Sequence, residues 1–351
     1  MVTFPTTRGL RALAALCLSI ALVAVVGCRA PAEVTSPWPK TDAERVVPKP
    51  AEPSRWPLTG LDAPSDAAVS RRVVSVKVEN APEARPQTAL QFADVVYESL
   101  VEGGITRFNA VYHSQSPPLI GPVRSARISD THIVPQYHAL FVFSGSSSSV
   151  GAKIRKAGIE NLSEDAGITK CYTRVTFKSA PHNLFVNIEK ARQVAKSKGW
   201  PTTQKLRPFA FERRSRPGTF TVTRITVPFS PANKVVWMYD AKARTYKRVN
   251  NGKPHMDAAT EKQLEARNVV VLWAKTHATG SRDAAGTTTL DINLTGSGRA
   301  TLFRGGQRFD CTWAANGSPP VLKAEDGSTV RLAQGNTWFQ VVPTNINIAM
   351  Q

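Results

Sequence analysis

The chain has 351 residues, enough for two domains, and a hydrophobic content of 42% gives it the material for packed cores and excludes wholesale disorder. Lysine and arginine number 45 against 26 aspartates and glutamates, a formal net charge of +19. Such an excess favours anionic partners, whether nucleic acid, acidic lipid or an acidic wall polymer, and does not by itself choose among them.

The N-terminus narrows the choice. Arg8 and Arg11 precede fifteen mostly apolar residues, Ala12 to Val26, in a stretch without acids. That run is shorter than the roughly 20 residues of a membrane-spanning helix and fits the apolar region of a secretory signal. It ends in "VVGC", a lipobox-like tetrapeptide whose Cys28 is the expected lipidation site and first mature residue. Cleavage there leaves a chain of about +17, since only Arg8 and Arg11 are lost. A lipid anchor holds such a chain at the extracytoplasmic face of the cell membrane, so nucleic acid is not an expected partner.

Residues 1–28 therefore read as a lipoprotein signal and 29–56 as a tether; eight prolines fall in the 36 residues from Arg29 to Pro64. Order is expected from about Pro57. "RRVVSVKVEN" alternates as a strand, "NIEKARQVAKSKGW" reads as a short amphipathic helix ending at Gly199, and "GSSSSVGAKI" reads as a serine-rich turn capping a helix. The basic, proline-bounded "RPFAFERRSRPG" marks the boundary between an α/β domain over 57–212 and a mainly β domain over 213–351. Beyond it come β-rich runs such as "TFTVTRITVPF", "NVVVLWAKTH" and "TWFQVVPT", cut by Asn-Gly, Gly-Ser-Gly and Gly-Gly turns. Of the cysteines, Cys171 and Cys311 remain in the mature chain, either as a disulfide or as two buried thiols.

The stretch "YESLVEGGITRFNAVYH" carries the densest charge pattern. A two-residue Gly103-Gly104 loop would set Glu102 opposite Ile105, Leu100 opposite Arg107 and Glu98 opposite Asn109. Glu98, Glu102 and Arg107 would then share a face. In "SPPLIGPVRSAR", Pro122 suits the first turn of a helix, with Arg124 and Arg127 on one side of it. Cations at a helix start need an anion, either these glutamates or a ligand. Glu98, Glu102, Arg107, Arg124 and Arg127 are thus expected to converge as a ligand-binding patch beside a cleft of the first domain.

Here the residues resemble a family. "NAPEARPQ", "ADVVYE", "VEGGITRF" and "GPVRSAR", in order and closely spaced, with "YKRVNNGKPHMDAATEKQLEARNVVV" and "GNTWFQVVP" later, are similar to the YerB-like bacterial lipoproteins over about 57–345. The serines of "FSGSSSSV" depart from the glycine-rich turn expected there. The resemblance implies an extracytoplasmic lipoprotein with an α/β domain followed by a second domain, no established activity, and an association with envelope growth.

Catalytic readings are weaker. "GSSSSVGAKI" has five residues between its glycines where a phosphate-binding loop has four, and no serine sits in a nucleophile elbow. The histidines at 113, 132, 138, 182, 255 and 277 form no metal-ligand spacing, so neither a metal nor a cofactor is expected. His182 stands out in "SAPHNLF". His255 beside Asp257 could be a base and its orienter, but a position after an Asn-Gly turn is more in keeping with an exposed residue. Glu98 and Glu102 could serve a cell-wall glycan hydrolase, whose carboxyl pairs stand roughly 5–9.5 Å apart. Strand positions four apart are about 13 Å apart, and Arg107 would hold both glutamates ionised. The leading reading is a binding or accessory lipoprotein engaging an anionic envelope polymer, anionic lipid or a membrane-bound wall-synthesis protein.

Overall fold

The computed structural model describes residues 53–212, 218–282 and 286–351. The signal, Cys28 and the tether as far as residue 52 lie outside them. No helix among the described residues is long and apolar enough to cross a membrane.

The first segment is α/β and the second mainly β, and they share their largest sheet. The valines of β1 (Val74–Glu79), β2 (Val95–Leu100) and β3 (Thr106–Tyr112) form an antiparallel group in the order β2-β3-β1. β4 (Leu140–Phe143) and β5 (Asn161–Ser163) extend it in parallel from β1. Parallel neighbours need a crossover, which here is α3 (Ser148–Lys156), after α1 (Asp66–Ser70) and α2 (Asp130–Ile133). On the other side of β2 lies Thr337–Pro343, near the C-terminal end, paired parallel to both β2 and Asn268–Ala274. Gly296–Arg304, Gln307–Ala315 and Val321–Lys323 complete that wing. A smaller sheet built on Arg224–Ser230, Asn233–Asp240 and Thr245–Asn250 has its apolar side chains in the same core cluster as the large sheet.

Both faces of the large sheet are therefore buried. Val76, Val78, Val96, Phe108 and Ala110 share one core with Val227, Trp237 and Tyr246 of the smaller sheet. Tyr97, Val111 and Phe141 share the other with Ile133, Val150 and Ile154. The amphipathic helix expected before Gly199 is α4 (Ile188–Ser197), capped by the Asn187 side chain accepting from Lys190 N at 2.9 Å. The connector is packed as far as 212, with Phe209 N donating to Pro57 O and Glu212 N to Leu332 O. Cys171 and Cys311 are buried free thiols in separate clusters, and burial pushes them up to about 11 and about 12.

The hairpin register differs from expectation. Three residues, Glu102–Gly104, form its loop, with both glycines at positive φ (71° and 72°) and Val101 N donating to Ile105 O at 2.9 Å. The extra loop residue shifts the pairing by one, so that Glu98 faces Phe108 and Ser99 faces Arg107. A one-residue shift reverses sidedness. Glu98 therefore lies on the face toward the smaller sheet, whereas Arg107 and Asn109 lie on the opposite one.

The helix expected from Pro122 is also absent. Residues 120–124 run extended, because their backbone is taken up by neighbours: Glu79 N donates to Pro122 O, Arg124 N to Lys77 O and Val123 N to Leu184 O. Helical turns begin only near Ser129, at α2.

Candidate functional site

A cleft of about 800 Å³ opens beyond the C-terminal ends of β4 and β5, where open α/β sheets place their ligands. Arg107 reaches it from β3, and Arg124, Ser125 and Arg127 from the extended segment. Ser146 to Ser149 line it at the start of α3, and Asp165 lines it just after β5. Ser281, Arg282 and Thr289 contribute from a separate hairpin. The three expected arginines thus converge, although by a different route from the one expected.

Their glutamates are differently assigned. Arg127 Nε lies 2.5 Å from Glu102 Oε2, but Arg124 Nε lies 2.9 Å from Glu79 Oε1, a carboxylate whose other oxygen meets His182 Nδ1 at 2.8 Å. The loop carrying Arg127 is fixed from beneath. Buried Asp130 accepts from Lys77 Nζ at 2.7 Å, from Asn109 Nδ2 at 3.0 Å and from Arg127 N at 2.7 Å. Among the described residues Arg107 has no ion pair. It donates to Ser125 O at 2.9 Å, and its buried Nε has no partner. Only 7% of the residue is exposed, and burial, with the neighbouring Arg127 charge, pushes its guanidinium down to about 10. A buried cation lacking a carboxylate, beside two cations that have one, leaves the cleft floor with unbalanced positive charge.

α3 adds a second source of positive potential. Ser147 is its N-cap, accepting from Val150 N, so the serine-rich turn caps a helix as expected. The N–H groups of the first turn point out of a helix start, and no acid stands in this one. The serines, Asp165 and Arg282 were missing from the expected site. The serine run after a strand was the signal for them; nothing local marked Asp165 or Arg282.

Glu98 is not in the cleft. It is fully buried, and its Oε1 accepts from Arg248 Nη2 at 2.8 Å and from Thr106 Oγ1 at 2.8 Å. Arg248, itself fully buried, stands 5.2–5.5 Å from the rings of Phe108, Trp237 and Trp338. With Glu98 and Glu102 each held by an arginine, and Glu98 sealed from solvent, the geometry counts against a glycan-hydrolase pair.

His255 and Asp257 are also structural, which overturns the expected exposed turn. His255 is 3% exposed, accepts from Arg248 Nε on Nδ1 at 3.0 Å, and lies 2.6 Å from Gln87 Oε1 through Nε2. Burial, and then the charges of Arg248 and Arg85, hold its pKa well below the usual value. Asp257 instead accepts backbone N–H groups from Ala89, Gln91, Ala259 and Thr260 at 3.0–3.3 Å. No cluster of metal-ligating side chains occurs among the described residues.

Residues 58–201 match the N-terminal domain, and 225–339 the C-terminal domain, of a protein family of unknown function, DUF3048. The chain is 31% identical over 301 residues to "Putative lipoprotein YerB" of Bacillus subtilis (strain 168), covering 85% of this chain and 88% of that one. The crystal structure of YerB from Bacillus subtilis superposes with a TM-score of 0.75 at 30% identity, covering 84% of this chain and 99% of the other. With both domains matched in order, over 58–201 and 225–339, the chain belongs to the DUF3048 family, as a relative of YerB.

Proposed function

We propose that this is a binding lipoprotein of the cell envelope, anchored through Cys28 at the extracytoplasmic face, whose arginine cleft engages an anionic envelope component. The observation that carries this is Arg107, a buried guanidinium at the wall of an 800 Å³ cleft with no carboxylate of its own. The net charge, +19 for the full sequence and about +17 once Arg8 and Arg11 are removed with the signal, supports the same sign of partner and would speed encounter. A lipid anchor followed by a proline-rich tether suits a protein that works on ligands above its membrane. The test is binding of anionic wall fragments by the full chain in neutral detergent as salt is raised. Saturable binding that weakens steeply with salt is expected; no binding even at low ionic strength would overturn the reading.

A further inference from the structure

We propose that the cleft is specific for a phosphate ester, and in particular for the phosphodiester of a polyol-phosphate polymer, seated between the start of α3 and Arg107. This rests on the reading just given and narrows it from any anion to one chemistry.

Three features select phosphate. The first is the start of α3, a nine-residue helix whose first residues, Ser148, Ser149 and Val150, line the cleft. Such a start binds tetrahedral oxyanions through backbone donors. The second is independent of the helix. Arg107 lines the same cleft, is 7% exposed, and has an Nε without a partner, so a recessed guanidinium is held where an oxyanion could meet it. The third is that Glu79 and Glu102 hold Arg124 and Arg127 through Nε, which orients two further guanidinium groups at the wall, the unbalanced charge there being that of Arg107.

The rest of the lining describes what carries the phosphate. Among the described residues that line it, hydroxyls dominate, Val150 is the one apolar side chain, and there is no aromatic ring on which a base could stack. A nucleotide would lack its platform and an acyl chain its apolar channel. A short run of hydroxylated carbons between phosphates is matched by serines and threonines. Asp165, exposed at the rim, opposes this charge pattern. It is the group whose removal should tighten binding.

The experiment uses the full chain in neutral detergent at low salt, titrated calorimetrically with poly(glycerol phosphate), inorganic phosphate, polyglutamate and phosphatidylglycerol vesicles. Poly(glycerol phosphate) should bind and be displaced by inorganic phosphate, with polyglutamate at least tenfold weaker per charge. Arg107→Met should lose tenfold or more in affinity, and Asp165→Asn should gain severalfold. Ser148→Pro tests the helix start separately. Proline suits the first helical position, the preceding Ser147 is already extended (ψ 156°), and the change removes the amide donor together with the Ser148 hydroxyl, both of them part of the helix start. It should weaken phosphate binding severalfold and serves if Arg107→Met does not fold. Equal binding of polyglutamate would overturn phosphate specificity while leaving the anion reading intact. Binding to vesicles alone would replace the polymer by a lipid headgroup, and wild-type affinity in Arg107→Met or, if that variant does not fold, in Ser148→Pro would overturn the site. Silence from every probe would overturn both readings.

Discussion

Replacing Arg248 by methionine should be among the most damaging single changes in the molecule. Its guanidinium and the Glu98 carboxylate meet at 2.8 Å with neither side chain exposed. Methionine would leave the carboxylate in an apolar enclosure walled by Phe108, Trp237 and Trp338, with the Thr106 hydroxyl as its main donor. Removing one member of such a pair costs about 3–5 kcal/mol, because the other is left charged and unsolvated. For about 300 folded residues, at roughly 2.1 cal/mol/K of unfolding entropy each, that is about 5–8 °C in melting temperature. Neutralising both members, Glu98→Gln with Arg248→Met, should recover most of the loss, since no orphan charge remains. Urea unfolding followed by tryptophan fluorescence reports on Trp237 and Trp338 among the seven tryptophans of the chain, while circular dichroism reads both sheets. The two transitions should shift together, because the pair ties β2 to the smaller sheet. A loss below 1 kcal/mol, or a double variant less stable than Arg248→Met, would refute the reasoning.

The fold should be sensitive to mild acid. Burial, and then the Arg71 charge, lower His113 to about 4 from a usual value near 6.5. As pH falls from about 6.5 to about 4 the unfolded chain takes up a proton that the folded chain refuses, so stability drops by about 3 kcal/mol. His113→Leu should flatten that slope in denaturation series at successive pH values. Asp257→Ala removes the acceptor for four backbone N–H groups and should cost about 1.5–3 kcal/mol in urea denaturation. In the native host, Cys28→Ala should move the protein from the membrane to the soluble fraction, and retention at the membrane would count against the lipid anchor.

What could be read from the sequence divides by range. The α/β-then-β texture, the amphipathic α4 before Gly199, and the serine-capped start of α3 follow from local periodicity and capping chemistry, and the structure has all three. The hairpin register does not follow, because alternation fixes register only when one sheet face is wet. Here Arg107 and Asn109 on one face and Glu98 on the other are all buried, so either register looked equally amphipathic. Long-range partners were equally out of reach. Glu98 finds Arg248 across 150 positions, and Arg124 finds Glu79 in a strand 45 positions earlier. His255 misled for a related reason: its turn motif is local, but Gln87, 168 positions away, closes over it. The arginines were nevertheless recognised as a group, since three cations within 21 positions need anions wherever the chain takes them.

The strand Thr337–Pro343 bears on how the molecule is made. It lies between β2 and Asn268–Ala274, paired in parallel to both, in the middle of the large sheet. Synthesis runs from the N-terminus, so β2 must wait as an unpaired edge until nearly the whole chain exists, with Glu98 lacking its arginine meanwhile. Hydrogen-bonding partners so distant in sequence make for slow closure, and a waiting hydrophobic edge invites pairing with another chain. A fragment stopping at residue 212 would hold that vulnerable state permanently. In this chain the two homology segments share one sheet, and its middle strand is among the last residues to be made.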